Sequence, residues 1–404
     1  MHIFGRLYRF ECKKIWDRKL VKTAFVLCLL VAVVCSTARL FGRYVVDGAV
    51  MGSAYDEIRK DQAYARALDG RPIDQRLLEE MSRAYQKVRI VPGKHYTGTP
   101  EYQTYARPYS EIFNFALGNT ALTGTDIIEG RAPTEQALYA QRQTLLEQNW
   151  RDARLTEGEI AFWTERESRI EKPVVFREYE TYNQIFLGYQ TVGFLVILFL
   201  SIALSGVFPE EHSRRTDQLL LSSPRGKGQL YWAKMLAGIS CAVAAALVLC
   251  AVTVAITVML YGGGGFHGAF QLDNRGSSDP ITCGQAMLIA YGNLLVTAVL
   301  VAVAVMLLSE LLRSSMAAMA ISAGMLLASM LVNVPEYDRV LAQLWDWQPW
   351  AFLAPWNVFG RYTLPVPGGY LTAWQAVPIL YVLVCAAAAW GGRWVYRRYQ
   401  VSGR

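Results

Sequence analysis

Charged residues make up only 18% of the 404 residues and hydrophobic residues 53%, with a formal net charge of +7 and a mean hydropathy of +0.19. Their distribution excludes an ordinary soluble protein: no Asp, Glu, Lys or Arg occurs in 23–38, 181–208, 235–272, 280–308, 314–335 or 362–392, and about 20 apolar residues cross a bilayer. Nucleic-acid binding is excluded as the reason for the basic excess, because the excess gathers beside these windows instead of along one tract.

Residues 1–22 read as an amphipathic interfacial helix on the cytoplasmic side. Phe4, Leu7, Tyr8, Cys12, Ile15 and Trp16 recur at helical spacing, opposite Arg6, Arg9, Lys13, Lys14 and Arg18. The apolar run 23–38 is short for a span and is expected to cross with Lys22 and Arg39 snorkelling to the interfaces. A signal peptide also places basic residues before an apolar run. Here the leader is long and patterned, and Val34 before Cys35 is a poor lipoprotein cleavage context, so a retained span is expected.

Residues 39–180 turn soluble in composition and are expected to form a mostly helical extracytoplasmic domain. Segments 54–70, 72–89, 133–155 and 158–172 are rich in helix formers, with Pro72 in a first-turn position and Asp74 near the start of its helix. The stretch Tyr96 to Tyr109 is expected to be irregular or strand-like, and the domain's aromatic residues are read as core before ligand surface.

Further spans are expected at 183–207, 235–260, 285–308, 314–334 and 372–392, making six and an α-helical integral membrane protein. Four glycines, Gly262 to Gly265, mark an outer turn, and the few residues around Glu310 and Arg313 make a tight inner hairpin. The segment 335–370, with Trp345, Trp347, Trp350 and Trp356, is too broken to span and is expected as a re-entrant or interfacial helix pair at the outer face. Residues 393–404 form a cytoplasmic tail held by Arg393, Arg397 and Arg398.

With both termini inside, the inner segments carry 17 Lys and Arg against 6 Asp and Glu, and the remainder 23 against 27, which is the positive-inside bias. A multi-pass protein of the cytoplasmic membrane follows. The segment 39–180 has no cysteine, so no disulfide framework is implied there, which suits a bacterial envelope.

The residues offer no catalytic set. His2, His95, His212 and His267 lie at no metal-ligand spacing. SSPRGKG resembles a phosphate loop only superficially, because Leu221 and Gly228 break both ends of the pattern. Gly238 and Ser240 form a G-x-S within a span, without a histidine in another span to act as base. Ionisable residues, which ion-coupled carriers keep at membrane depth, are missing from the span centres. No cofactor is expected in this chain, and energy for any transport must enter from outside it.

The inner segment 208–234 is the place for that entry. It presents Glu210 and Glu211, then Arg214, Arg215, Thr216 and Asp217, a leucine run with Leu219 and Leu220, Ser223, Pro224, a basic turn with Arg225 and Lys227, and Lys234 at the next span. A short helix there would put leucines on one side and charges on the other, ending at Pro224. This pattern resembles the first cytoplasmic loop of type-2 ABC transporter permeases: an acidic residue, Thr, a leucine pair, Ser-Pro and Lys, matched by Glu211, Thr216, Leu219 with Leu220, Ser223 with Pro224, and Lys234. Arg215 departs from the small residue often found before the Thr.

That resemblance implies a type V exporter fold with two permeases side by side, as a homodimer or heterodimer, and a separate ABC ATPase subunit that binds Mg-ATP. It implies ATPase docking on the loop and on the first helix, through Arg9, Glu11 and Lys13, and a translocation or dimer face on the second and fifth spans. Independently, Ser315, Ser322 and Ser329 recur every seven residues with Asn333 a turn beyond, and Ser201 and Ser205 lie a turn apart. Small-residue packing within one subunit accounts for the same pattern. The rival functional reading is a membrane-anchored sensor or assembly protein with an outer ligand-binding domain.

Overall fold

The computed structural model describes residues 2–43, 45–46, 49–50, 52–91, 93, 95–210, 228–332, 334–335 and 338–398. Among them, five helices are long and apolar enough to cross a membrane. After the amphipathic helix α1, His2–Trp16, the first is α2, Lys19–Thr37, prolonged by a 3₁₀ turn at Ala38–Phe41. Its 23 residues have a mean hydropathy of 2.3, and exposed Lys19, Lys22 and Arg39 carry its ends into the interfaces. The others are α9, Glu180–Leu204; α10, Gln229–Tyr261; α11, Cys283–Leu312; and α15, Ala373–Arg398. Several outrun the charge-free windows, because hydropathy marks contact with hydrocarbon and helical hydrogen bonding continues past it.

The expected fifth span is shorter than the rest. Helix α12, Ser315–Leu331, has 17 residues and a length of about 25 Å against a hydrocarbon core of about 30 Å. Arg313, at φ 50°, ends α11 in the left-handed conformation, and Ser314 caps α12 by accepting from Ala317 N at 3.2 Å. At the other end Val332 is already extended. Among the described residues, five long helices and one short one therefore stand where six spans are expected.

Burial ranks the bundle. The apolar windows of α9 and α11 are 56% and 61% buried, against 17% for α2 and 28% for α15, so α9 and α11 form the centre and the other two the margin of the bundle. Gly193 on α9 sits under Leu353, where a Cβ would lie 2.9 Å from a side-chain carbon. Gly262, at φ 97°, ends α10 as the glycine run predicts.

Between α2 and α9 lie the short pair β1, Val45–Val46, and β2, Ala49–Val50, then α3, Ala54–Leu68; α4, Gln75–Tyr85; α5, Ser110–Gly118; α6, Gly124–Ile128; α7, Glu135–Asp152; and α8, Glu157–Ser168. Asp74 caps α4, accepting from Leu77 N at 2.9 Å. Pro72 is therefore outside the first turn; it bridges instead to Val175. Tyr96 to Tyr109 forms short helical turns, with no strand among them. Tyr85 stacks on Phe113 at 3.9 Å, and Tyr96 and Tyr102 meet it edge-on. Such edge and stacked contacts bury ring area without any need for strand pairing.

The segment after α12 holds two short helices and, beyond them, a hairpin that the sequence reading did not include. It forms α13, Arg339–Asp346, and α14, Pro355–Val358, and then a hairpin of β3, Thr363–Val366, with β4, Gly369–Thr372. Val366 pairs with Gly369 across a two-residue turn, and Gly368 takes φ 95°, which favours glycine.

Candidate functional site

Two sites emerge from the positions singled out in the sequence, one where α1 meets the bundle and one between α9, α12 and the segment after α12. Helix α1 packs along α10 and α2, and Tyr8 donates to Ser240 Oγ at 2.9 Å. The amphipathic pattern buries Ile15 and leaves Arg9 and Lys13 exposed. Glu11 turns inward: it is 3% exposed and accepts from Lys234 Nζ at 3.2 Å.

Lys234 is fully enclosed at 0% exposure. Its ammonium also donates to Val207 O at 3.1 Å and lies 5.6 Å from the centre of the Phe208 ring. One cation thus joins α1, the end of α9 and the start of α10. Arg18 adds a second tie by donating to Ala203 O. Helical spacing alone could not distinguish inward Glu11 from its exposed neighbours, because a charge on the apolar side is legible only once its partner is placed.

Glu210, with its backbone N–H directed to Gly206 O, is half-buried. Glu211, Arg214, Arg215, Asp217, Leu219, Leu220, Arg225 and Lys227 lie outside the described residues, as does Asn333.

The serine pattern divides between packing and an open face. Ser201 and Ser322 are both fully buried and their hydroxyls are 2.7 Å apart, so they join α9 to α12 within this chain. Ser205 is buried and donates to Ile202 O at 3.3 Å, while Ser315 is half-buried at the start of α12. Ser329 faces a cavity and donates to Leu326 O at 2.7 Å.

That cavity, of about 760 Å³, lies between α9, α12 and the segment of α13 and α14, and reaches Val31 of α2. Three of the tryptophans predicted at headgroup level, Trp345, Trp350 and Trp356, line it. Trp345 is oriented by donating Nε1–H to Val332 O at 3.1 Å. Gln190, Thr191, Asp346, Asn357 and Arg361 also line it and were not singled out in the sequence. The signal for Gln190 and Thr191 was available: two polar residues side by side in a charge-free window.

The segment between α2 and α9 is fastened to the rest of the chain by ion pairs with buried carboxylates. The Arg142 guanidinium holds both oxygens of Glu167 at 2.9 and 3.1 Å, and donates to Asn119 at 2.7 Å and to Ser277 O at 2.9 Å in the loop before α11. Arg339 of α13 meets Glu159 of α8 at 2.6 Å, and the Thr363 hydroxyl donates to the same carboxylate at 2.7 Å. Burial pushes the Glu167 carboxyl up, but Arg142 and Lys172 outweigh it and hold it below the ordinary carboxylate value. Among the described residues no group of His, Cys, Asp and Glu could hold a metal ion.

The family described as ABC-2 family transporter protein matches residues 103–389. Comparison with curated proteins gives no match, nor does comparison with solved structures.

Proposed function

This chain belongs to the ABC-2 transporter family as its membrane component, and from that premise we propose that it is the permease of an ATP-driven exporter. In this reading it crosses the cytoplasmic membrane of a bacterium six times, with both termini inside and residues 39–180 outside. A separate ATPase subunit binds Mg-ATP and docks on the exposed face of α1 and on the inner loop, and a second permease completes the pathway. The short α12 crosses by local thinning of the bilayer, at a modest cost per ångström of mismatch. The cargo is a peptide, a lipid-like molecule or another amphipathic molecule, moved outward.

The observation that carries the proposal is the enclosed ammonium of Lys234. It ties both ends of the inner loop, at Val207 and at its own position, to α1 through Glu11. A displacement imposed on the loop would move α9 and α10 together, because the buried pair offers no solvent to take up the separated charges. Glu11 then positions the docking surface from beneath, and Arg9 and Lys13 face the partner.

Co-purification with a co-expressed ABC ATPase tests the reading. Replacing Glu211, Leu219 and Leu220 together by alanine is expected to leave a stable membrane protein and to abolish ATPase association. Undiminished association of that variant would overturn the docking assignment.

A further inference from the structure

We propose that the cavity between α9, α12 and the segment of α13 and α14 binds an uncharged single-chain amphiphile whose hydroxyl or carbonyl end meets Gln190 and Thr191. The proposal deepens the exporter reading by naming its cargo class, and rests on that reading only for calling the ligand cargo; binding itself is a property of this chain.

Charge on the ligand is excluded first. Asp346 and Arg361 border the cavity, yet both are engaged within the protein. Arg361 donates to Asn149 O at 3.2 Å, and Asp346 has a partner of its own. A charged ligand would leave water with no free countercharge to meet it, which is costly among apolar walls. An uncharged ligand meets no such cost.

The polar groups of the lining then place the head. Trp345 Nε1 donates to Val332 O at 3.1 Å, Asn357 Nδ2 to Ala351 O at 2.9 Å, and the Ser329 hydroxyl to Leu326 O at 2.7 Å. Gln190 and Thr191 differ, because neither side chain makes a hydrogen bond among the described residues although both line the cavity. An amide beside a hydroxyl donates and accepts. The pair therefore suits a ligand hydroxyl or carbonyl, and shielding it from water without such a match is unfavourable.

Size and walls set the body of the ligand. At about 760 Å³ the cavity falls among pockets of about 300–1,000 Å³ that hold one small molecule. Phe194, Leu195, Leu326, Leu353 and Trp350 stand among its apolar and aromatic lining, which suits one hydrocarbon chain.

Access points to the bilayer as the source. Val31 of α2 and Met330 of α12 line the cavity. Beside them Leu27, Leu30 and Val34 on α2, and Leu327 and Leu331 on α12, are exposed and lie outside the lining. The cavity thus borders an apolar surface of the helical bundle, and an amphiphile already in the membrane enters it without returning its chain to water.

The test uses the purified full chain in lipid nanodiscs, without ATPase or ATP. Tryptophan quenching is read with chain-brominated probes of one chain length carrying a glycerol ester, sulfate or trimethylammonium head, and with the brominated alkane that has none, each titrated by its mole fraction in the bilayer. The glycerol ester is expected to quench saturably and to bind about tenfold tighter than the alkane, the worth of about one hydrogen bond, and to exceed both charged probes by at least as much. Gln190→Leu with Thr191→Val should cancel the advantage over the alkane and leave alkane binding in place. Ser329→Phe, which fills the cavity, should abolish saturable quenching by either.

Equal affinity for all four probes, a preference for a charged head, or an ester advantage that survives loss of the Gln190 and Thr191 polar groups would overturn the proposal. So would saturable quenching retained in Ser329→Phe. Absence of saturation in the unaltered chain would do the same, and is the result expected if a second copy of the chain or a fixed bilayer lipid filled the space. A chain that binds the glycerol ester but never associates with a co-expressed ABC ATPase would sink the exporter reading alone.

Discussion

At the residue scale, the Glu11–Lys234 pair is the most consequential contact that spacing could not reveal. Lys234 stood out as the cation opening a span, whereas Glu11 looked like one charge among several on α1. Removing one member of a buried pair costs up to about 3–5 kcal/mol, less where a second partner remains, as Lys14 does for Glu11 at 3.7 Å, while removing both can be nearly neutral. Lys234→Met should therefore lower thermal stability in detergent sharply, and Glu11→Gln with Lys234→Met should recover most of the loss. A double variant as unstable as the two single losses added together would show that the residues are uncoupled. Lys13→Ala, on the exposed side, is expected to stay within about 0.5 kcal/mol and serves as the control.

Acid sensitivity belongs to the same scale. Since Glu167 has its carboxyl pKa lowered in the folded state, its stabilising contribution is complete above the unfolded value of about 4.3. It is lost as pH falls through the lowered folded value. Hydrogen exchange in α7 and α8 is expected to quicken below about pH 4, and Glu167→Gln should flatten that dependence while raising exchange at neutral pH. An unchanged pH profile in the variant would show that another carboxylate governs the domain.

At the element scale, α12 decides the topology. A charge-free window of 22 residues, 314–335, reads as a full span, yet the helix stops at Leu331. Hydropathy counts residues regardless of conformation, and Val332 and Pro335 are apolar without being helical. If α12 crosses despite its length, cysteines at its two ends must face opposite sides. In a cysteine-depleted background, Met316→Cys should react with an impermeant maleimide only after the membrane is opened, and Val334→Cys without opening. Labelling of both from one side would mean that α12 is re-entrant.

The hairpin of β3 and β4 was missed for a different reason. Its strands hold only four residues each, and the prolines and tryptophans around them fit an interfacial segment equally well. The signal lay in Pro-Gly-Gly between β-branched and aromatic residues. By contrast, α3, α4, α7 and α8 were legible because propensity and capping residues agree in each. In α8, Thr156 and Glu159 form a reciprocal capping box.

At the scale of the whole molecule, the segment between α2 and α9 is tied to the bundle because polar groups distant in sequence meet: Arg142 with Glu167 and Ser277 O, Arg166 with Asp279, Arg339 with Glu159. These ties hold α8 over the hairpin and over α13, and so set the roof of the cavity. By itself the sequence determined that the chain is a helical membrane protein with a soluble segment after its first span. These properties are local, written in windows of about 20 residues by the cost of placing charge or unpaired backbone in hydrocarbon. Only the tertiary structure decided that Ser201 and Ser322 are consumed in packing, that Ser329 opens to a cavity, and that Glu11 faces inward to Lys234. Such facts depend on pairs separated by more than a hundred residues, and no local rule of hydropathy or spacing fixes which two side chains share an enclosed space.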